Sequence, residues 1–188
     1  MRIIFIHSCN IIKNIFFFLM HSSPVAGPSR AGRRRAYARR RVDDLAKNEE
    51  EIKGLIALCG EGVVDVAAVG NEVLYREDLE SAQLLEYINR VKAQVNGVPV
   101  GYVDAYYEFT DYPAIADACD VILANCYPYW EGCSLEYSLM YMKQMYQEAK
   151  DAGRGQKRVI ITETGWPSSG QSIGGITNCI TNKMCVTL

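Results

Sequence analysis

The sequence predicts an α/β protein built on a parallel sheet or barrel, and three observations carry that prediction. Short apolar segments of strand length alternate with longer segments of helical periodicity. The short segments are nearly continuous apolar runs with β-branched residues, the pattern of strands covered on both faces. Each of them also ends in acids, amides and aromatics, at the end where α/β folds build their sites.

Taken in order, Asn48 with Glu51 three residues on predicts a capping-box helix start. Ile52, Leu55, Ile56 and Cys59 form its stripe, and Gly60 stops it. The first strand is predicted at 63–69, interrupted by Asp65 and ending in Gly70, Asn71 and Glu72. Glu77 and Asp78 then open a helix, their charges suited to its first turn. Its stripe is Leu79, Ala82, Leu85, Ile88, Val91 and Val95, and Asn96-Gly97 ends it. The second strand, 98–103, tolerates Pro99 near its start and leads into Asp104, Tyr106, Tyr107 and Glu108. A short helix covers 114–118. The third strand, 121–124, leads into Asn125, Tyr127, Pro128, Tyr129, Trp130 and Glu131. Ser134 caps a third long helix with the stripe Leu135, Leu139, Met142, Tyr146 and Ala149, ending near Gly153. The fourth strand, 159–161, runs into Thr162, Glu163, Thr164, Gly165 and Trp166.

Composition narrows the chemistry. The chain has 188 residues and a formal net charge of −2, but the charge is sorted. Residues 1–42 carry nine Lys/Arg and no acid; residues 43–188 carry the other 11 Lys/Arg and all 22 acids. The two histidines, His7 and His21, both fall in the basic part. The acidic part therefore has no Ser-His-Asp or Cys-His system and no His-ligated catalytic zinc. The seven cysteines include no C-x-x-C pair, which argues against a zinc site. Cys59 and Cys119 sit in apolar surroundings, as small core residues do. No G-x-G-x-x-G or G-x-x-x-x-G-K-[ST] phosphate loop is present.

Residues 1–42 are expected to form a basic leader, disordered or not native coding sequence. The apolar run 15–20 is too short for a membrane span and short for an export signal. Residues 24–27 offer only a weak cleavage site. Seven arginines fall between Arg30 and Arg41. Only Tyr37 interleaves them and no nucleic-acid motif accompanies them, so no nucleic-acid partner is expected.

Glu72 and Glu163 each follow a buried strand. A carboxylate at the rim of a core is costly to ionise unless paired or hydrogen-bonded. Two at one end of one sheet suit an acid/base or nucleophile pair, as in glycoside hydrolysis. Six of the twelve tyrosines lie between Tyr102 and Tyr129, with Trp130 and Trp166 also at strand ends. Flat aromatic faces suit the C–H faces of pyranose rings. A Glu at a strand end also serves as a helix cap or salt-bridge partner, so the pattern alone leaves both readings open.

At these residues the sequence resembles glycoside hydrolase family 17, the β-1,3-glucanases and related glucan-modifying enzymes. The matching segments are Ala-Val-Gly-Asn-Glu-Val (68–73), Asn-Cys-Tyr-Pro-Tyr (125–129) and Thr-Glu-Thr-Gly-Trp-Pro-Ser (162–168). The resemblance runs over residues 43–175. It implies a (β/α)8 barrel with its acid/base Glu after strand four and its nucleophile Glu after strand seven. On that reading Glu72 is the acid/base and Glu163 the nucleophile of a retaining double displacement, with carboxyls about 5–5.5 Å apart. Asn71 would hydrogen-bond the sugar 2-hydroxyl, Tyr127 would orient the nucleophile, and Trp166 would shape the subsite floor. Asp104 and Tyr106 are carried over as possible substrate contacts, and Asn125 as a substrate-binding residue. The resemblance implies a β-glucan substrate, no metal and no cofactor, and a secreted or wall-associated setting.

A (β/α)8 barrel typically takes about 250 residues. Residues 1–42 read as no βα units, and 176–188 read as a divergent tail. The fold expected is therefore a partial TIM barrel covering about strands four to seven. The function expected is β-1,3-glucan hydrolysis; the competing readings are a glucanosyltransferase of the same fold and an inactive fragment.

Overall fold

The computed structural model describes residues 3–6 and 30–166, with side chains from residue 45 onward. His7, His21, the apolar run 15–20, the candidate cleavage site 24–27, the end of the 162–168 motif and the tail 176–188 lie outside the described residues. Five strands form one sheet: β1 (Ile3–Ile6), β2 (Val66–Asn71), β3 (Val100–Ala105), β4 (Val121–Asn125) and β5 (Arg158–Glu163). The helices are α1 (Arg30–Gly60), α2 (Ser81–Lys92), α3 (Glu108–Asp111), α4 (Pro113–Ala118) and α5 (Ser138–Ala152).

Every strand pair is parallel and the spatial order equals the chain order. An open doubly wound sheet reverses direction at a switch point; this sheet does not. Its two faces differ accordingly. One packs Ala67, Val69, Val100, Tyr102, Ile122, Ala124 and Val159 against Ile52 and Leu55 of α1, Leu84 and Ile88 of α2, and Met145 and Ala149 of α5. The other holds a sheet-only cluster of Val66, Ala68, Val103, Val121 and Leu123, with Ile160 against it. Helices thus cover one face of the sheet, and the other carries a layer of side chains.

The strands at 66–163 follow the sequence reading, but each ends one or two residues later, at polar residues that belong to the ladder itself. Several expectations need correction. No strand was expected ahead of residue 63, yet β1 pairs with β2 from Ile3↔Val66 to Ile6↔Val69. Ile-Ile-Phe-Ile is β-branched and aromatic, which suits a strand whatever charges flank it. Asn48 does not start a helix: α1 begins at Arg30, because the Ala- and Arg-rich stretch before it favours helix. Asn48 is instead buried within it. Glu77 and Asp78 do not open α2 but close a turn, their amides bonded to Leu74 O and Val73 O; the helix starts at Ser81. Its buried face keeps Ile88 and Val91 of the expected stripe, but Leu84 takes the place of Leu85, and Ala82 is exposed. Ser134 makes no side-chain cap; a 3-10 turn at Leu135–Tyr137 intervenes, and α5 buries Met145 and Ala149 while Leu139 is exposed.

Cys59 and Cys119 are buried core thiols, as their surroundings suggested; Cys126 is buried too. At the opposite end from the candidate site, Lys157 Nζ donates to Ala116 O and Asp117 O (2.7 Å each) and to Cys119 O. These carbonyls close α4, where a cation is favourable.

Candidate active site

Glu72 lies one residue past β2 and Glu163 is the last residue of β5. On β2, Ala67 and Val69 face the helices while Val66 and Ala68 face away; on β5, Val159 and Ile160 divide in the same way. Strict alternation from these residues sends both Asn71 and Glu163 to the helix side. Two bulges prevent it. Between Ala68 and Asn71, β2 advances three residues while β3 advances two, from Gly101 to Val103. Between Ile161 and Glu163, β5 advances two residues while β4 advances one. Each extra residue reverses the alternation and re-aims the side chains beyond it.

The first bulge contains Gly70 at φ +85, where an added Cβ would stand 3.3 Å from the Tyr102 ring. Only glycine adopts that backbone without strain. Glu72 follows at φ 53, a left-handed conformation that costs a non-glycine residue free energy and clusters at functional sites. Its amide bonds to Val103 O at 2.8 Å and its carbonyl accepts from Arg76 N at 3.0 Å, which hold it there.

The result is one connected polar group. Tyr127 OH donates to Glu163 Oε2 at 3.0 Å, and the Asn71 side chain bonds the same carboxyl. Asn125 Nδ2 donates to Glu72 Oε1 at 3.0 Å while Asn125 Oδ1 accepts from Thr162 Oγ1 at 2.8 Å. Arg76 pairs with Glu72 Oε2 at 3.0 Å. Burial pushes the Glu163 carboxyl above its ordinary range and the Glu72 charge adds to this; Tyr127, Asn71 and Arg76 pull it back. Asn71 Oδ1 is buried with no hydrogen-bond partner among the described residues.

Asp104 is placed differently from the substrate contact that was expected. It is fully buried, and both its oxygens are used within the chain. Oδ1 accepts from Ala105 N at 2.8 Å and Oδ2 from Tyr75 N at 3.3 Å and from Tyr102 OH. Tyr102 OH in turn accepts from Leu74 N at 3.0 Å. Asp104 thus holds the turn that carries Glu72. Tyr106 takes another direction: buried, it donates to Glu131 Oε2 at 3.2 Å, an oxygen it shares with Tyr141 OH. Trp166 stands edge-on to Tyr129 at 5.4 Å, and Tyr129 contacts the exposed Trp130 at 5.1 Å. So Glu72, Glu163, Asn71, Asn125 and Tyr127 come together, Trp166 flanks them, and Asp104 and Tyr106 serve the framework. Arg76 escaped the sequence reading; its signal was its place four residues after Glu72.

Burial pushes the Asp104 carboxyl up from 3.8 to about 6. The folded state therefore keeps its proton over a range where the unfolded chain has lost it. Its contribution to stability is full below about pH 4 and is lost as pH rises through about 6, by roughly 2–3 kcal/mol. Urea unfolding of Asp104→Asn across pH 4–7 is expected to show a flatter fall in stability than the unaltered chain. An identical slope would remove Asp104 as its source.

Among the described residues no group of His, Cys, Asp and Glu is arranged to hold a metal ion. No described helix is long and apolar enough to cross a membrane.

Three comparisons bear on this site. The family model described as the BtgE/BtgC glycoside hydrolase domain matches residues 36–186. A glucan 1,3-beta-glucosidase of Candida albicans is 35% identical over 147 residues, covering 67% of this chain and 47% of the relative. A probable glucan endo-1,3-beta-glucosidase of Aspergillus niger is 33% identical over 144 residues, covering 65% of this chain and 31% of the relative. A solved structure, an active-site mutant of a Rhizomucor miehei beta-1,3-glucanosyltransferase in complex with laminaritriose, is similar with a TM-score of 0.64 and 32% identity. It covers 73% of this chain and 51% of that one. The chain spans about half the length of these relatives, or less.

Proposed function

This chain belongs to the BtgE/BtgC glycoside hydrolase family, and we propose that it cleaves β-1,3-glucan by retaining double displacement. The observation that carries the reading is that Glu72 and Glu163 fall in one hydrogen-bonded group, with Asn71 and Glu163 re-aimed by the two bulges and Glu72 set just beyond β2 in a left-handed conformation. Glu72 protonates the leaving glycosidic oxygen while Glu163 attacks the anomeric carbon, forming a glycosyl ester. Glu72 then takes a proton from the water that hydrolyses it. Tyr127 orients Glu163. The unpartnered Asn71 Oδ1 suits a sugar hydroxyl beside the nucleophile. Trp166 and Tyr129 offer an aromatic wall to the ring. The sheet order and the one-sided helices support reading the five strands as part of a (β/α)8 barrel.

A second reading, transfer of the glycosyl group to another glucan chain, is favoured by the likeness to solved glucanosyltransferases at 32% and 33% identity. The two differ only in whether water or a sugar hydroxyl attacks the ester. Incubation with a laminarin-type oligosaccharide, followed by product sizing, tests both. Shorter products indicate hydrolysis and longer ones transfer; an unchanged substrate would sink the enzymatic reading.

Tyr127→Phe probes the orientation of the nucleophile. Loss of the phenol removes a donor that lowers the Glu163 carboxyl's pKa, so that carboxyl rises further. The acidic limb of the kcat/KM profile is expected to move to higher pH, with a loss of about tenfold near pH 5. An unmoved limb would separate Tyr127 from Glu163 ionisation.

A further inference from the structure

We propose that Arg76 is a positioning residue for Glu72, tying that carboxyl to both sides of the turn that carries it. The inference rests on reading Glu72 as the proton donor. Glu72 sits beyond the ladder of β2, in a left-handed conformation, with about a quarter of its side chain exposed. Asn125 fixes only Oε1. Oε2 is fixed by Arg76 Nη1 at 3.0 Å.

Arg76 itself is clamped by two partners on either side of Glu72 in the chain. Its Nε donates to Asp78 Oδ2 at 3.0 Å, and its Nη2 donates to the carbonyl of Asn71. A planar guanidinium held at two of its nitrogens has one orientation left for the third. A surface pair between two long, free side chains contributes little; here the cation has lost its freedom before it meets the carboxylate.

The placement matters for the chemistry. When Glu72 gives its proton to the leaving oxygen it becomes an anion beside the carboxyl of Glu163. The charged and titratable groups that face it are Glu163 on β5, Asp104 on β3, Tyr127 after β4 and Arg76. Arg76 is the cation among them. It keeps the carboxyl aimed during proton transfer and stabilises the charge left behind. Lysine would supply the charge but not the three-way fork.

The experiment is to compare the full chain with Arg76→Gln and Arg76→Lys. The kcat/KM values are measured on a laminari-oligosaccharide and on a 2,4-dinitrophenyl β-laminarioside. The second leaving group needs no proton, so its departure is indifferent to Glu72. Arg76→Gln is expected to lower kcat/KM on the oligosaccharide by about 10- to 100-fold and on the aryl substrate by less than about threefold, with Arg76→Lys between. Equal losses on both substrates would mean a merely structural role and overturn the inference, as would no loss on either.

A second measurement is independent of turnover. In a chain labelled with carbon-13 at the Glu carboxyls, the Glu72 resonance is identified by its absence in Glu72→Gln. That resonance is expected to be a single narrow line in the unaltered chain and to broaden or split in Arg76→Gln, as the carboxyl samples more than one orientation. An unchanged line in Arg76→Gln overturns the inference even where the chain is active. Conversely, a broadened or split line in a chain that cleaves nothing supports the positioning and overturns the proposed function alone.

Discussion

Glu163→Gln is expected to reduce reducing-end release from a laminarin-type oligosaccharide at least about a thousandfold, while leaving the fold intact. The amide keeps the size of the carboxyl and can still accept from Tyr127 OH, now 3.0 Å from Oε2. What it lacks is a nucleophilic oxygen able to form a glycosyl ester. Stability moves the other way. Burial and the neighbouring Glu72 both disfavour charge on Glu163, so a neutral amide removes a cost, and the thermal midpoint is expected to hold or rise. This split separates loss of chemistry from loss of structure. Replacing each carboxylate in turn by Gly and supplying azide then tests the two roles. With Glu163→Gly, azide takes the place of the nucleophile and yields an α-glycosyl azide. With Glu72→Gly, azide attacks the ester on Glu163 and yields the β-anomer. The reverse pairing would exchange the roles of the two residues, and undiminished hydrolysis by Glu163→Gln would remove the nucleophile altogether.

How far the sequence foretells this site follows from which signals are local. The strands announce themselves because both their faces are covered: Val66, Ala67, Ala68 and Val69 are all buried, so no polar residue interrupts the run. The polar residues at the strand ends are legible for the same reason, being where the apolar run stops. The bulges are not legible. Both depend on register between neighbouring strands, and register is a relation between segments that no single segment encodes. A reader of residues 158–163 alone would place Glu163 on the helix side. Gly70, just ahead of Asn71, is the one local hint, since a glycine inside a strand often marks a bulge or a close approach. The roles of Asp104 and Tyr106 were illegible for a related reason. A polar residue at a strand end can face the groove or the framework. The choice is made by partners distant in sequence: Tyr75 for Asp104, Glu131 for Tyr106. Helix starts were missed where a real cap signal was outweighed, at Asn48 by the helix-favouring stretch ahead of it, and at Ser134 by a 3-10 turn.

Gly101→Ala is expected to cost about 1–3 kcal/mol, which lowers the thermal midpoint by roughly 2–12 °C in a chain of this size. Gly101 lies in the middle of the sheet, paired with Ala68 on β2 and Val121 on β4. A Cβ built there would stand 2.6 Å from Val121 O, 2.9 Å from Val121 Cγ1 and 3.0 Å from Leu123 Cγ. The nearest of these is backbone, so no rotamer change relieves the clash; β3 and β4 must move apart or the local packing must shear. Either movement propagates to the site. Asp104 and Ala105 pair with Ala124 and Asn125 in the same ladder, Asp104 anchors the turn bearing Glu72, and Asn125 hydrogen-bonds it. Activity measured well below the new midpoint is therefore expected to fall as well, through misplacement and not unfolding. Gly97→Ala is the control: it too is a glycine near β3, with open space where the Cβ would sit, but at φ +72 its cost is backbone strain alone. It should lower the midpoint without the activity loss seen for Gly101→Ala in the folded protein. Equal activity in the two folded variants would show that β3–β4 spacing does not set the geometry of Glu72.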